Sequence, residues 1–494
     1  LFRSIDCMTT ESSCLSSIWP ADEKVREYYD TVHRPDAYQK IKPLNGACYD
    51  RMIRIDLSEV ECMIALPFHP SNIYTVHELQ KHGREIFDVL EKQHENDRVP
   101  LKLASCLDAE GNIHVQQGVI VGCAGGLYEN IAEARDILKD ADIGSGAFTL
   151  NIYPASAPVN LALIKDGITA DLLESGAVFK PAFCGPCFGA GDTPANNTLS
   201  IRHATRNFPN REGSKPQDAQ SAAVALMDAR SIAATAYNKG ILTAASDMDY
   251  HCTPAEYHYD PSIYEKRVYW GYGEADSGTE LIYGPNITDW PAFEALKEHL
   301  AVKLCAVIED EVTTTDELIP SGETSSLRSN PLKLSEYTLS RRCPTYVQKC
   351  REVSAADRSA LPFADEDTTI ASAIFARKPG DGSAREQAAS CQKVLKGGAN
   401  IAFEYATKRY RSNLINWGIL PFVIEKDAFS FCEGDWVVIR NVRKKLSNKE
   451  EIFTAEVYRD NEKWDIILNS GPLSDEERQI IMDGCLMNYY ASQK

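Results

Sequence analysis

The chain has 494 residues, 44% of them apolar and 25% charged, with 52 basic against 71 acidic side chains for a net charge of −19. That length predicts two to four domains with ample material for buried cores, and the composition excludes a disordered or collagen-like chain. The acidic balance repels phosphate backbones and anionic lipids, and the basic runs Arg341-Arg342 and Arg443-Lys444-Lys445 are too short to reverse it, so neither nucleic acid nor membrane is expected as a partner.

Fifteen cysteines without a regular framework indicate a reducing compartment, the cytoplasm or the mitochondrial matrix, where most serve as small buried apolar residues. No run of about eighteen apolar residues occurs, so no spanning helix is predicted. The opening LFRSIDCMTTESS lacks an initiator Met and reads as the interior of a longer chain.

In chain order, residues 1–65 form a first, partial α/β unit with a helix near Ala21–His33 and an amphipathic strand at Met52–Leu57. Glu11, beside serines, reads by itself as a cap or a solvated carboxylate. Residues 66–240 alternate helix and strand. Helices are predicted at Val76–Gln93, Tyr128–Leu138, Pro158–Ala170 and Ala219–Tyr237, and strands at Gly118–Gly122, Ala147–Tyr153 and Ala177–Phe183. Short apolar runs between helical periods indicate an α/β domain with a largely parallel sheet, where ligands gather at the carboxyl ends of strands.

Two cysteine motifs follow such strands. Cys184-Gly185-Pro186-Cys187 suits zinc, an iron–sulfur cluster or a redox disulfide, and a bare C-x-x-C does not choose among them. The glycines and proline of Phe188–Pro194 discourage the long helix that an attacking thiol needs, which weighs against exchange chemistry. Cys123, in a glycine turn after its strand, is the natural third thiolate. Arg206 and Arg211 read either as solvated loop charges or as forks for a carboxylate.

Residues 241–300 read as a linker, polar and aromatic up to about 290. The last unit, 301–494, begins with the strand Val302–Ile308 and passes through Asp316 and Arg328. Ser383 and Glu386 in Gly382-Ser383-Ala384-Arg385-Glu386 have the spacing of a capping box at a helix start. A strand pair at Asp435–Arg440 and Ile452–Tyr458 and an amphipathic helix after Ser474 close the chain.

A cysteine after a buried strand, C-G-P-C about sixty residues on, and Ser200 followed by Arg206-Asn207-Phe208 and Arg211 together resemble the aconitase family of [4Fe-4S] hydro-lyases. Glu11, nine residues before Pro20, is similar to a glutamate of that family. Thr314-Thr315-Asp316, with Arg328 twelve residues beyond the aspartate, resembles its T-T-D-H element. Gly382–Ala388 resembles G-S-S-R-E-H-A, and Asn413 with Leu414–Phe422 resembles N-L-x-x-x-G-L-L-P. The resemblance runs from Glu11 to the C-terminus. It implies three-layer α/β domains with mainly parallel sheets plus a C-terminal swivelling α/β domain, with residues 1–65, 66–240 and 301–494 matching three successive domains.

The resemblance further implies a [4Fe-4S] cluster on Cys123, Cys184 and Cys187 and reversible dehydration of a hydroxy di- or tricarboxylic acid such as citrate or isocitrate. Ser383 would take the proton with Arg385 supplying compensating charge, Glu11 would attend the iron-bound hydroxyl, and Asp316 would orient site partners. Arg206, Arg211 and Arg328 would clamp the carboxylates of this small-molecule substrate. The family's N-terminal domain, which carries further site residues, would come in cis or as a separate subunit. The family's C-T-N-S-S is Cys123-Ala124-Gly125-Gly126-Leu127 here, its histidine after Asp316 is Glu317, and Thr205 and Ala384 replace an asparagine and a serine. These departures imply a divergent member, and a non-catalytic iron–sulfur binding or sensor protein of the same fold is the alternative.

Overall fold

A sheet whose central strands are buried runs of four or five residues organises the first half of the chain. The structure, a computed structural model, describes residues 5–6, 8–9, 14, 16–97, 99–144, 146–320, 324–382, 385–460 and 462–493. Its contacts divide the chain into two units, Leu1–Met8 with Ser16–Thr279, and Thr9–Leu15 with Glu280–Lys494.

The first unit holds β1 (Met63–Ala65), β2 (Ile73–Thr75), β3 (Gln117–Ile120), β4 (Thr149–Ile152), β5 (Val178–Phe179), β6 (Leu199–His203) and β7 (Ala223–Met227). They lie in the order β2-β1-β7-β6-β3-β4-β5, parallel from β7 to β5, with β1 antiparallel to both of its neighbours. The helices Val76–Gln93 and Tyr128–Leu138 form where expected. The first is capped by the Thr75 hydroxyl, which accepts from the Glu78 amide, and it buries Val76, Leu79, Phe87 and Leu90 at helical spacing. Those side chains join Leu150, Ile201 and Ile232 in one core.

Four expectations need correction. The run at Met52–Leu57 forms no strand: Met52, Ile53 and Ile55 are 89%, 85% and 67% exposed, and the chain turns at Leu57–Glu59 instead. The helix expected over Pro158–Ala170 is two, Ala157–Lys165 and Ile168–Glu174, because Gly167 between them adopts φ 75°. The strand expected over Ala177–Phe183 is only β5. The alanine-rich stretch Ala219–Tyr237 is β7 followed by the helix Ala229–Tyr237. Residues 223–227 are paired on both sides by β6 and β1, and sheet pairing overrides the helical preference of alanine until Asp228 caps the helix by accepting from the Ser231 amide.

The second unit contains β8 (His299–Ile308), β9 (Thr313–Thr314), β10 (Thr368–Ala376), β11 (Pro379–Asp381), β12 (Gly397–Ala402), β13 (Leu420–Val423), β14 (Trp436–Ile439), β15 (Ile452–Arg459) and β16 (Glu462–Asn469). Seven of these close a barrel in the order β10-β12-β13-β16-β15-β14-β8. Strands β8, β10, β12 and β13 run parallel to one another, whereas β14 pairs antiparallel with β8 and β15, and β16 antiparallel with β15 and β13. The ring closes between β13 and β16 through the single pair Val423–Asn469. Leu300, Val302, Phe375, Phe422 and Phe453 fill one core, and Phe375 stacks on Phe429 with centroids 4.3 Å apart. Truncating a ring such as Phe453 to alanine there would cost about 3–5 kcal/mol. A second core, with Ile374, Tyr346, Cys350 and Leu414, lies under the helices Tyr346–Ser354 and Lys408–Asn416. Closure into a barrel goes beyond the strand pair expected from sequence. Among the described residues, no helix is long and apolar enough to cross a membrane.

Candidate functional site

The two cysteine motifs of the first unit end up against each other. Cys123 lies in the short helix Gly122–Gly125, which starts two residues after β3. Gly122 adopts φ 77°, and a Cβ built on it would lie 3.0 Å from Cys187 Sγ, so the turn of Cys123 presses its backbone on the sulfur of Cys187. The Asn130 amide, from the next helix, donates to the carbonyls of Ala124 and Gly125 at 2.8 and 3.1 Å and holds the turn. Cys184 precedes the tight turn Gly185–Cys187, in which the Cys187 amide donates to the Cys184 carbonyl at 3.0 Å. Cys123 and Cys184 are exposed and Cys187 is half-buried, packed with Val119, Val121 and Tyr153.

Electrostatics report the same proximity. Burial pushes the Cys187 thiol up to about 11. Cys184 pushes it further, Arg211 pulls it down, Cys123 pushes it up and Arg202 pulls it down. Three sulfurs and two guanidinium groups therefore share one field. Cys187, Arg206, Arg211, Arg202 and Glu212 line a cavity of about 10 Å³, room for one water molecule at most.

Arg202 went unnoticed in the sequence and is central to the arrangement. It is 2% exposed on β6, where period two puts it on the same face as Ser200. Its guanidinium donates to Ser200 Oγ at 3.1 Å, Gln117 Oε1 at 3.1 Å, the Pro186 carbonyl at 2.6 Å and the Asp192 carbonyl at 2.5 Å. It thus ties the C-G-P-C turn and the following loop to the sheet. Asp192 accepts from Tyr153 Oη at 2.5 Å, Asn151 at 3.0 Å and Lys180 at 3.1 Å, which fixes the far end of that loop. Glu212, also missed, is buried. Burial holds its carboxyl above the usual range although the Ser214 hydroxyl donates to it and Arg202 is near.

The arginine motif is part scaffold. Asn207 is 1% exposed and donates to the carbonyls of Leu66 and Ala65, and Phe208 packs on His69. These contacts fix the loop from which Arg206 and Arg211 reach the small cavity.

In the second unit the turns bearing the other motifs also meet. β9 pairs with β11, and a Cβ on Gly382 would lie 2.7 Å from Thr315 Oγ1, so the approach to residue 383 runs against the turn of Asp316. Asp316 is buried in the helix Thr315–Leu318. Glu317 closes a capping box there: its carboxylate accepts from the Thr314 amide at 2.7 Å, and the Thr314 hydroxyl accepts from the Glu317 amide at 3.2 Å. Arg328 is exposed after the turn Ser325–Leu327. The helix Arg385–Val394 follows. Glu11, Ser383 and the Arg385 side chain lie outside the described residues, as does the Ser383 cap. The Arg409 guanidinium donates to the hydroxyl of Thr9, near Glu11 in the chain.

Among the described residues, no three His, Cys, Asp or Glu side chains stand where one metal ion could be held between them. A cubane asks for a different arrangement, because each of its irons takes its own outer ligand and the cysteine sulfurs stand around the cluster rather than on one point. Three cysteines on two adjoining turns, with a glycine wall beside Cys187 and guanidinium groups near to offset negative charge, are a donor set that fits such a group.

Comparison with known proteins bears out the resemblance. Residues 3–234 match the model of the aconitase family (aconitate hydratase). A 3-isopropylmalate dehydratase large subunit of Clostridium beijerinckii is 28% identical over 207 residues, 42% of each chain, and its counterpart in Elusimicrobium minutum is 29% identical over the same extent. A mitochondrial homoaconitase of Cryptococcus neoformans is 24% identical over 400 residues, 78% of this chain and 51% of that protein. The chain thus spans about half or less of the length of these relatives.

Proposed function

We propose that this chain is the cluster-bearing part of a [4Fe-4S] hydro-lyase that reversibly removes and adds water on a hydroxy di- or tricarboxylic acid. The observation that carries this reading is the packing of the Cys123 turn on Cys187, with Arg202 and Arg211 in the same field, inside the stretch that matches the family. Relatives named 3-isopropylmalate dehydratase large subunit and homoaconitase support a hydroxy di- or tricarboxylic acid, such as citrate or isocitrate, as the class of substrate.

Cys123, Cys184 and Cys187 would hold the cluster. When bound, it supplies a Lewis-acidic iron with an open position. Arg206, Arg211 and Arg328 would pair with the substrate carboxylates through charge-assisted hydrogen bonds. Ser383 would take the proton next to a carboxylate, with Arg385 and the amides at the start of the helix Arg385–Val394 offsetting its charge. Glu11 would attend the departing hydroxyl, and Asp316 would orient its neighbours.

On this reading, 66–240 is the cluster domain, 301–494 the swivelling domain, and a further domain joins in cis or as a separate subunit. The exposed apolar side chains of Leu44, Met52, Ile53 and Ile55 support such a neighbour. A second reading, an iron–sulfur binding or sensor protein without turnover, draws support from the turn after Cys123. A Cβ on Gly125 would lie 2.2 Å from the His203 carbonyl and one on Gly126 2.3 Å from that of Tyr153, so these positions pack backbone on backbone and offer substrate no side chain.

Anaerobically purified protein, joined to the further domain that this reading calls for, tests both readings. Equal iron and acid-labile sulfide, broad visible absorbance, and turnover of hydroxy acids lost in Ser383→Ala with the spectrum intact are expected. A cluster without turnover favours the second reading. An iron-free protein with disulfide-exchange activity overturns both.

A further inference from the structure

At the far end of the helix that follows Ser383, in its last turn, Lys393 is half-buried with its Nζ 5.9 Å from the centroid of the Phe293 ring. It lines a cavity of about 230 Å³ whose other walls include Phe293, Leu296, Ile370, Gly398 and Ile481. Among the described residues, its ammonium makes no ion pair and no hydrogen bond. The ionisable groups that act on it are Cys485 from the start of the helix Leu486–Ala491 and Lys396 two residues after its own helix ends, while Glu294 lies exposed on the loop that lines the cavity. An aromatic face and a thiol stabilise a cation less than a carboxylate does, and Lys396 opposes it.

We infer that Lys393 is a modification site, an amine that takes a short acyl group from a small activated donor such as a thioester or an acyl phosphate. This inference stands apart from the hydro-lyase reading. The free amine nitrogen attacks the acyl carbonyl carbon. A C–N bond forms, the C–S or C–O bond to the leaving group breaks with its electron pair, and the leaving thiolate or phosphate takes the proton lost from nitrogen. No oxidant or reductant is needed. The amide is neutral, which relieves the burial of an unpaired charge, and the cavity has room for a short acyl chain.

Reactivity follows from the same surroundings. Burial draws the Lys393 amine down to about 8, with Cys485 raising it and Lys396 lowering it further. At pH 7.4 roughly a fifth of such amines are unprotonated, against roughly one in a thousand for an ordinary lysine.

The test uses the full chain, incubated with acetyl phosphate over a pH series, with the acetyl occupancy of every lysine measured by peptide mass spectrometry. Lys393 is expected to react at least about tenfold faster than the median exposed lysine near neutral pH. Its rate should level off near pH 8 while surface lysines keep rising. A Lys393 rate at or below that median, or one that climbs without a break past the surface lysines' midpoint, overturns the inference.

Discussion

Arg202 Nη1 donates to the carbonyl oxygen of Pro186 at 2.6 Å, so a strand residue of β6 holds the turn between Cys184 and Cys187 in place. Arg202→Met removes the fork and leaves the carbonyls of Pro186 and Asp192 buried without it. Hydrogen bonds to charged groups contribute about 1.5–3 kcal/mol each, so the first unit should lose about 3 kcal/mol or more. In metal-free protein, loss of the guanidinium that pulls the Cys187 thiol down should slow its alkylation. Arg202→Lys should fall between, since an ammonium cannot reach four acceptors in a plane. Urea denaturation and iodoacetamide kinetics measure both effects, and an unchanged thiol rate would remove Arg202 from the site.

Gly122→Ala places a methyl group 3.0 Å from Cys187 Sγ at a residue with φ 77°. The left-handed backbone alone costs about 1–2 kcal/mol. The variant should be less stable and should take up less iron on reconstitution. Iron content per folded chain is the measurement, and full incorporation would show that the two turns need not touch.

Glu212→Gln tests the buried carboxyl. Burial raises its folded-state value above the ordinary 4.5, so above that pH the folded chain binds more protons than the unfolded one. The group's contribution is complete below the unfolded value and is lost as pH rises through the raised folded one. The glutamine variant should therefore show a flatter stability profile from about pH 4.5 upward and match or exceed the parent near neutrality. Denaturant midpoints across that range decide it. An unchanged slope would mean that Arg202 keeps Glu212 ionised.

Glu317→Ala removes half of the capping box before Asp316, and about 1 kcal/mol should leave the second unit. Glu317→Gln keeps the acceptor and should retain most of it. Thermal melting distinguishes the two, and equal losses would show that charge rather than capping matters.

Much of the architecture was legible because it is local. Val76, Leu79, Phe87 and Leu90 recur at helical spacing, and β3 and β4 are short apolar runs between such helices. β6 hid because Ser200 and Arg202 interrupt its apolar pattern, and their partners Gln117, Pro186 and Asp192 lie elsewhere in the chain. β7 hid inside alanine, whose helical preference the sheet overrides. Closure of the barrel was equally invisible, since β16 has charged residues at its start and its apolar run Ile466-Ile467-Leu468 does not reveal which face is buried. At the site, the spacing of Cys184 and Cys187 announced a ligand pair, whereas the arginine that braces it carried no motif. Glu317 sits where the family resemblance leads one to look for a histidine, and its capping role follows only from seeing Thr314 turn back toward it.

The barrel has one weak latch. β15 and β16 run in register from Ile452–Asn469 to Arg459–Glu462, but among the described residues β13 and β16 share the single ladder pair Val423–Asn469. A ring breathes where it is held least, so amide hydrogen exchange should begin along this seam. There the barrel would unroll into a curled sheet with two free edges, each a place where a strand from another molecule could add.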